Sequence, residues 1–233
     1  MKKVGYAFAL LCSAGITLAD GPSVTLTSEV RSAYLLAPSV HKSSWVSLED
    51  AMFRWKRGYY LEFTQITSLE NPGWKSLDSG NETDFLAGIP LGKAGKAGTL
   101  EMGVYLLAPV TKIGNDLWTI SWYKSFGPVT VTTQYLGQVG ESSPPARGVL
   151  KVDYAKSVPL SERVKFVFPL RVGVDSGGGG RDSAIFARVI PKFVFTMKRG
   201  VDAFVGWEGT IPLSNRDDLD PQQGFRAGVK VVF

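Results

Sequence analysis

Hydrophobic and polar residues alternate with a period of two along most of the chain beyond residue 20. The last nine residues show the pattern most clearly. One face carries Phe225, Ala227, Val229, Val231 and Phe233, and the other carries Arg226, Gly228, Lys230 and Val232. Such alternation is typical of β-strands whose two faces meet different surroundings. The chain is therefore predicted to be all-β.

The alternation divides the chain into about twelve segments of roughly 9–11 residues, the length that a tilted membrane strand needs. They span 24–35, 44–54, 59–69, 82–91, 99–109, 117–126, 128–138, 147–157, 163–174, 183–196, 201–211 and 224–233. The second segment is the least regular, because Glu49 and Asp50 are adjacent. The fourth and tenth contain Pro90 and Pro191, which weaken ladder pairing. Ten or fourteen strands therefore stay open as alternatives.

The connections between these segments alternate between short turns and longer polar loops. The short turns are Lys56–Gly58, Gly92–Ala97, Phe126–Pro128, Val158–Glu162 and Lys198–Gly200. The longer loops are Ala37–Ser43, Glu70–Asn81, Val110–Asp116, Gly140–Arg147, Asp175–Asp182 and Pro212–Gln223. Outer-membrane barrels have this pattern, with the short turns on the periplasmic side. The predicted fold is a transmembrane antiparallel up-and-down β-barrel over residues 20–233.

The first nineteen residues have a different character. Lys2 and Lys3 precede an apolar stretch that is too short to span a bilayer, and Thr17 and Ala19 form a small-residue cleavage site. We predict a secretory signal peptide over 1–19; the alternative is a buried N-terminal helix. Its removal would take away Cys12, the only cysteine, which suits passage through an oxidising periplasm.

The aromatic residues favour a membrane as the solvent of this barrel. They recur near segment ends, where amphipathic rings suit the bilayer interface. This group comprises Tyr34, Trp45, Tyr59, Tyr60, Trp118, Trp122, Tyr123, Tyr135, Tyr154 and Trp207. The alternative is a soluble barrel in which the same residues are ordinary core aromatics.

Composition excludes several kinds of site. The 26 Lys and Arg against 21 Asp and Glu give a mild net charge of +5 without any basic run, so no nucleic-acid partner is expected. One Cys and one His rule out a thiolate zinc site, an iron–sulfur cluster and a multi-histidine metal site. No cofactor or metal is implied. Asp217, Asp218 and Asp220 could bind a divalent cation weakly, but a solvated loop is the better interpretation.

The end of the chain resembles a known targeting signal. A terminal Phe after alternating apolar residues is similar to the C-terminal signal by which bacterial outer-membrane barrels are recognised and inserted. Phe225, Val229, Val231 and Phe233 match that signal at the usual spacing. The resemblance implies two partners, the barrel-assembly machinery and outer-membrane lipid, and a location in the bacterial outer membrane.

The first third of the mature chain resembles small bacterial outer-membrane barrels of the porin type. The matching stretches are Ser28–Arg31, Pro38–Val40, Gly58–Leu61 and Glu82–Phe85. Many of those proteins carry an aromatic-Arg-Gly tripeptide in the first strand, where this chain departs with Val30-Arg-Ser32. The resemblance implies a channel-like barrel without a known substrate.

Charge is segregated along the face predicted to line the interior. In the first five segments this face carries Glu29, Arg31, Glu62, Glu82, Asp84 and Glu101. From the eighth segment onward it carries Lys151, Asp153, Lys165, Arg171, Arg188, Lys192, Asp202, Glu208, Arg226 and Lys230. Acidic and basic walls would set a transverse field across a narrow lumen, and such a field selects among ions and dipolar solutes.

The predicted function is therefore passive diffusion of small solutes through a charge-lined lumen. One alternative is that the same groups pair and plug the barrel. A plugged barrel would serve as a structural, adhesive or ligand-binding envelope protein through its outer loops.

No catalytic site is expected. His41 lies in a predicted outer loop beside Ser43 and Ser44, which are too local to build a triad. Glu82 and Asp84 are better explained as polar residues that line the lumen than as the carboxylate pair of a glycosidase site.

Overall fold

The computed structural model describes residues 21–36, 39–42, 45–69, 81–107, 116–138, 147–177, 183–214 and 221–233. The predicted signal peptide over 1–19 lies outside these residues, as do Ser43, Ser44, Asp217, Asp218 and Asp220 and most of the longer predicted loops. The described strands are β1 Ser23–Arg31, β2 Tyr34–Leu36, β3 Ser39–Lys42, β4 Val46–Arg54, β5 Tyr60–Ser68, β6 Glu82–Pro90, β7 Thr99–Leu107, β8 Leu117–Phe126, β9 Val129–Gln138, β10 Arg147–Pro159, β11 Val164–Asp175, β12 Ala184–Val189, β13 Lys192–Lys198, β14 Val201–Pro212 and β15 Gln222–Val232.

The sheet closes on itself as an antiparallel barrel. β1 pairs with β4 on one side and with β15 on the other, so the first and last strands are neighbours. Going round the ring, the order is β1, β4, β5, β6, β7, β8, β9, β10, β11, then β12 with β13, then β14 and β15. β12 and β13 both pair with β11 and β14, so they are two parts of one barrel strand. The prediction of twelve antiparallel strands is confirmed.

The tenth predicted segment, 183–196, is interrupted at Ile190 and Pro191. Pro191 has no amide hydrogen to give to the ladder, although its carbonyl still accepts from the Trp207 amide at 3.0 Å. The second segment, in contrast, is fully regular. β4 pairs along its whole length with β1 and β5, so the adjacent acids Glu49 and Asp50 simply point to opposite faces.

A small hairpin above β1 and β4 was not predicted from the sequence. The first segment was expected to run to residue 35, with a loop over 37–43. Instead β1 ends at Arg31, and β2 pairs with β3 as a separate two-stranded sheet. His41 therefore lies in a strand and not in an open loop. The first segment is therefore shorter than predicted, and the first connection contains a short hairpin.

The two faces of the barrel differ as a membrane-spanning barrel requires. Large apolar side chains cover the outside; Leu61 is 50% exposed and Phe85 46% exposed. Polar side chains such as Thr64, Ser121 and Glu208 are buried inside. This arrangement is the reverse of a soluble barrel, which hides its apolar face. Within the described ranges, no helix is long and apolar enough to cross a membrane.

Candidate functional site: the charged interior

The strand registers place every charged residue that was predicted to line the interior on an inward face. They include the acids of β1 and β5 to β7 and the mixed charges of β10 to β15. Period-two alternation is sufficient to assign these faces. It does not tell which side chains meet, because that depends on how the barrel closes. The role of these residues in lining a pore stays a prediction.

An arginine–carboxylate network joins four strands on the loop side of the interior. Arg226 lies between two acids, with its Nε 2.6 Å from Glu29 Oε1 and its Nη1 3.3 Å from Glu208 Oε2. Glu208 also accepts from Arg188 at 3.0 Å, and Glu29 accepts from Arg31 at 2.9 Å. The two acids are almost completely buried, at 2% exposure for Glu29 and 0% for Glu208. The pairing of Glu29 with Arg226 is the contact expected when the first and last strands close the barrel.

A second set, the acidic wall, consists of Asp50, Glu62, Glu82, Asp84 and Glu101 on β4 to β7. Its members contact hydroxyl groups and other carboxyl groups. Thr64 donates to Asp50 at 3.0 Å. Asp50 lies within hydrogen-bond reach of Glu62, and Asp84 within reach of Glu82. The wall therefore concentrates carboxyl groups on one side of the interior.

The sequence analysis missed one residue of this region, Asp50, and misplaced two others, Tyr60 and Tyr123. Asp50 belongs to the acidic wall, but its neighbour Glu49 hid the alternation there. Tyr60 was assigned to the outer aromatic belt, yet it is only 4% exposed and donates its hydroxyl hydrogen bond inward to Glu101. Tyr123 also faces inward, because it lies in register with Thr99 and Thr132.

Gly88 on β6 makes the reach of Tyr60 to Glu101 sterically feasible. The phenol ring lies across Gly88, where an added Cβ would come within 1.9 Å of Tyr60 Cε1. Real Cβ atoms do not approach so closely, so any larger residue would displace the ring. The glycine thus lets a β5 side chain contact a β7 carboxylate across the intervening strand.

The opposite side of the ring, from β10 to β15, forms the basic wall. It carries Arg147, Lys151, Lys165, Arg171, Arg188, Lys192, Arg226 and Lys230. The acids among them are engaged by cations: Arg171 Nε lies 2.7 Å from Asp153, and Arg147 Nε lies 2.7 Å from Asp175. Lys192 stacks over the Phe204 ring at 5.1 Å. In a ring of twelve strands β11 is six places from β5, so this part of the basic wall faces the acidic wall across the interior. The other end of the basic wall approaches the acidic wall, because β15 is two places from β4 and Lys230 acts on Asp50.

Solvent exposure inside the barrel changes from one end to the other. On the loop side the network around Glu208 is tightly packed. Towards the short turns the side chains of Lys165 and Asp202 are 44% and 30% exposed, and their ionic atoms are 4.0 Å apart. The interior is therefore open to water at the turn side and narrowed by ion pairs at the loop side.

The described part of the chain holds no group of three or more His, Cys, Asp or Glu side chains arranged for a metal ion.

A closed antiparallel barrel with an apolar outside and a charged inside defines the class of membrane-spanning β-barrels. The predicted architecture of a small outer-membrane barrel is thereby confirmed. No protein-family model matches the chain. No curated protein matches it significantly either.

Solved structures of similar shape come from outer membranes. An outer membrane channel from Pseudomonas putida F1 is 11% identical, with 95% of this chain and 98% of that chain covered at a TM-score of 0.46. The NanC porin is 10% identical; the match covers 89% of this chain and 98% of that chain at a TM-score of 0.46. The translocator domain of the autotransporter NalP from Neisseria meningitidis is 12% identical; the match covers 99% of this chain and 95% of that chain at a TM-score of 0.44. Scores below 0.5 at such identities add nothing about function to what the barrel's own geometry shows.

Proposed function

We propose that the protein is a channel of the bacterial outer membrane that lets small polar solutes diffuse passively through the barrel. Export through the leader over 1–19 and insertion through the C-terminal strand ending at Phe233 are parts of this proposal. Passage, and not catalysis, is the function that the interior supports best.

The observation that carries the proposal is the opposition of the acidic wall and the basic wall. Charges of opposite sign on facing walls produce a field across the lumen, and low-dielectric walls focus it. A dipolar or zwitterionic solute gains favourable contacts with both walls when it is aligned with that field. An uncharged solute of the same size gains much less, so the field selects by charge distribution as well as by size.

The buried network of Glu29, Arg188, Glu208 and Arg226 favours a second candidate. If the network fills the loop side of the lumen, the barrel is closed, as in small barrels whose side chains fill the interior. The protein would then act through its outer loops as a structural, adhesive or ligand-binding element of the envelope.

Solute uptake into proteoliposomes distinguishes the two candidates. We expect swelling with small zwitterionic amino acids, and slower swelling with uncharged sugars of matched size. A variant with Asp50→Asn and Glu101→Gln, which neutralises part of the acidic wall, is expected to lose this preference while keeping the lumen. Folded barrels that admit no solute of any size would support the closed barrel instead.

A further inference from the structure

A row of polar side chains crosses the outer face of the barrel. Ser28, Glu49, Gln65 and Thr83 are successive register partners on β1, β4, β5 and β6. Ser28 Oγ donates a 2.9 Å hydrogen bond to Glu49 Oε1. These residues share their outward faces with exposed apolar side chains, among them Val30, Leu61, Phe63 and Phe85. Ser28, Glu49 and Gln65 are partly exposed on the surface that a membrane-spanning barrel turns to lipid, whereas Thr83 at the end of the row is buried.

The row lies close to mid-height, since Ser28 and Glu49 are next to the centres of the nine-residue strands β1 and β4. A second pair, Ser47 and Thr67, continues the polar surface towards the loops. On the other side of the ring, the outward faces of β11 to β14 carry only apolar residues and glycine. Polarity on the outside is thus concentrated on one face.

Lipid offers no hydrogen-bond partner to a carboxylate or an amide at this depth. Polar groups placed in hydrocarbon are costly unless protein or trapped water satisfies them. An apolar groove of about 570 Å³ lies directly below the row, lined by Phe53, Leu61, Phe63, Phe85 and Met102 among others. Protein interfaces combine an apolar surface with polar groups beside it, and this face of the barrel has both features.

We propose that this face is an interface between two copies of the protein. Two barrels inserted in the same direction are related by a two-fold axis parallel to the membrane normal. With the axis between β4 and β5, Glu49 of one copy faces the partner's Gln65, and Gln65 faces the partner's Glu49. The amide NH₂ of Gln65 donates and the carboxylate of Glu49 accepts, so the row is complementary to itself.

Energy transfer between donor-labelled and acceptor-labelled copies in dilute vesicles tests this proposal. We expect the wild type to associate, and the variant with Glu49→Leu and Gln65→Leu to associate at least tenfold more weakly. Thr133→Leu, an exposed outward position on β9, is the matched control and should leave association unchanged. All three proteins should keep the heat-modifiable gel mobility of a folded barrel, because the changes only make the outer face more apolar.

Cross-linking locates the contact. In a Cys12→Ser background, Gln65→Cys should form a covalent dimer with a short bifunctional reagent, whereas Thr133→Cys should not. Equal cross-linking at both positions would overturn the proposed interface. A wild type that stays monomeric at every protein-to-lipid ratio would overturn it as well and would leave lipid or another protein as the occupant of this face.

Discussion

Replacing Glu208 with alanine is expected to lower the free energy of unfolding by about 3–5 kcal/mol, the cost of breaking a buried ion pair by removing one partner. Glu208 is 0% exposed and accepts from both Arg188 and Arg226. Without it, two buried guanidinium groups lose an acceptor that water cannot replace. Urea titration of the refolded barrel in vesicles, followed by tryptophan fluorescence, measures the change.

The control for this change is Glu162→Ala, which removes an exposed carboxylate from the turn between β10 and β11. Its effect should stay within about 0.5 kcal/mol, as for other surface changes. A double-mutant cycle with Arg188→Met should give a coupling energy of about 0.5–3 kcal/mol, because the two side chains are in direct contact. Equal effects of Glu208→Ala and Glu162→Ala would contradict the buried network.

Reversing charge on the basic wall is expected to change ion selectivity by about tenfold or more, since about 1.4 kcal/mol corresponds to a factor of ten. In water, two unit charges 4 Å apart interact by about 1 kcal/mol, so each reversal changes the energy of a passing monovalent ion by about 2 kcal/mol at that distance. The variant Lys165→Glu with Arg171→Glu should therefore shift permeability from anions towards cations. Reversal potentials in a salt gradient measure this shift directly.

The matched control for selectivity is Lys124→Glu with Lys156→Glu, the same change in net charge at outward-facing positions on β8 and β10. Screening by salt makes these distant charges much weaker for an ion inside the barrel. We expect their effect on selectivity to be small. Unchanged selectivity of the Lys165 and Arg171 variant in a conducting barrel would argue against the wall model.

The fold was predictable because the period-two alternation can be recognised within each strand by itself. A strand with lipid on one side and charge on the other repeats every two residues, so its existence and faces follow without knowledge of its partners. The break at Pro191 occurs where the proline was predicted to weaken ladder pairing. The hairpin was not predicted: the stretch between β1 and β4 pairs with itself as β2 and β3.

The sequence was sufficient to predict which face of each strand carries the charged residues of the site. It was less informative about which side chains contact each other. The contact between Glu29 and Arg226 follows from closure alone, since it needs only the first and last strands to be neighbours. The contact between Tyr60 and Glu101 does not, because it depends on the empty space over Gly88 and on a register two strands away. Tyrosine also has an amphipathic ring, which suits a membrane interface and a polar lumen equally well.

The central claim is that the facing charged walls border a conducting lumen. Single-channel recording of the refolded protein in a planar bilayer with a salt gradient tests this claim most directly. The account predicts stepwise currents with a non-zero reversal potential set by the walls. A protein that inserts, keeps the gel mobility of a folded barrel and yet passes no current would contradict it and show that the network around Glu208 closes the lumen.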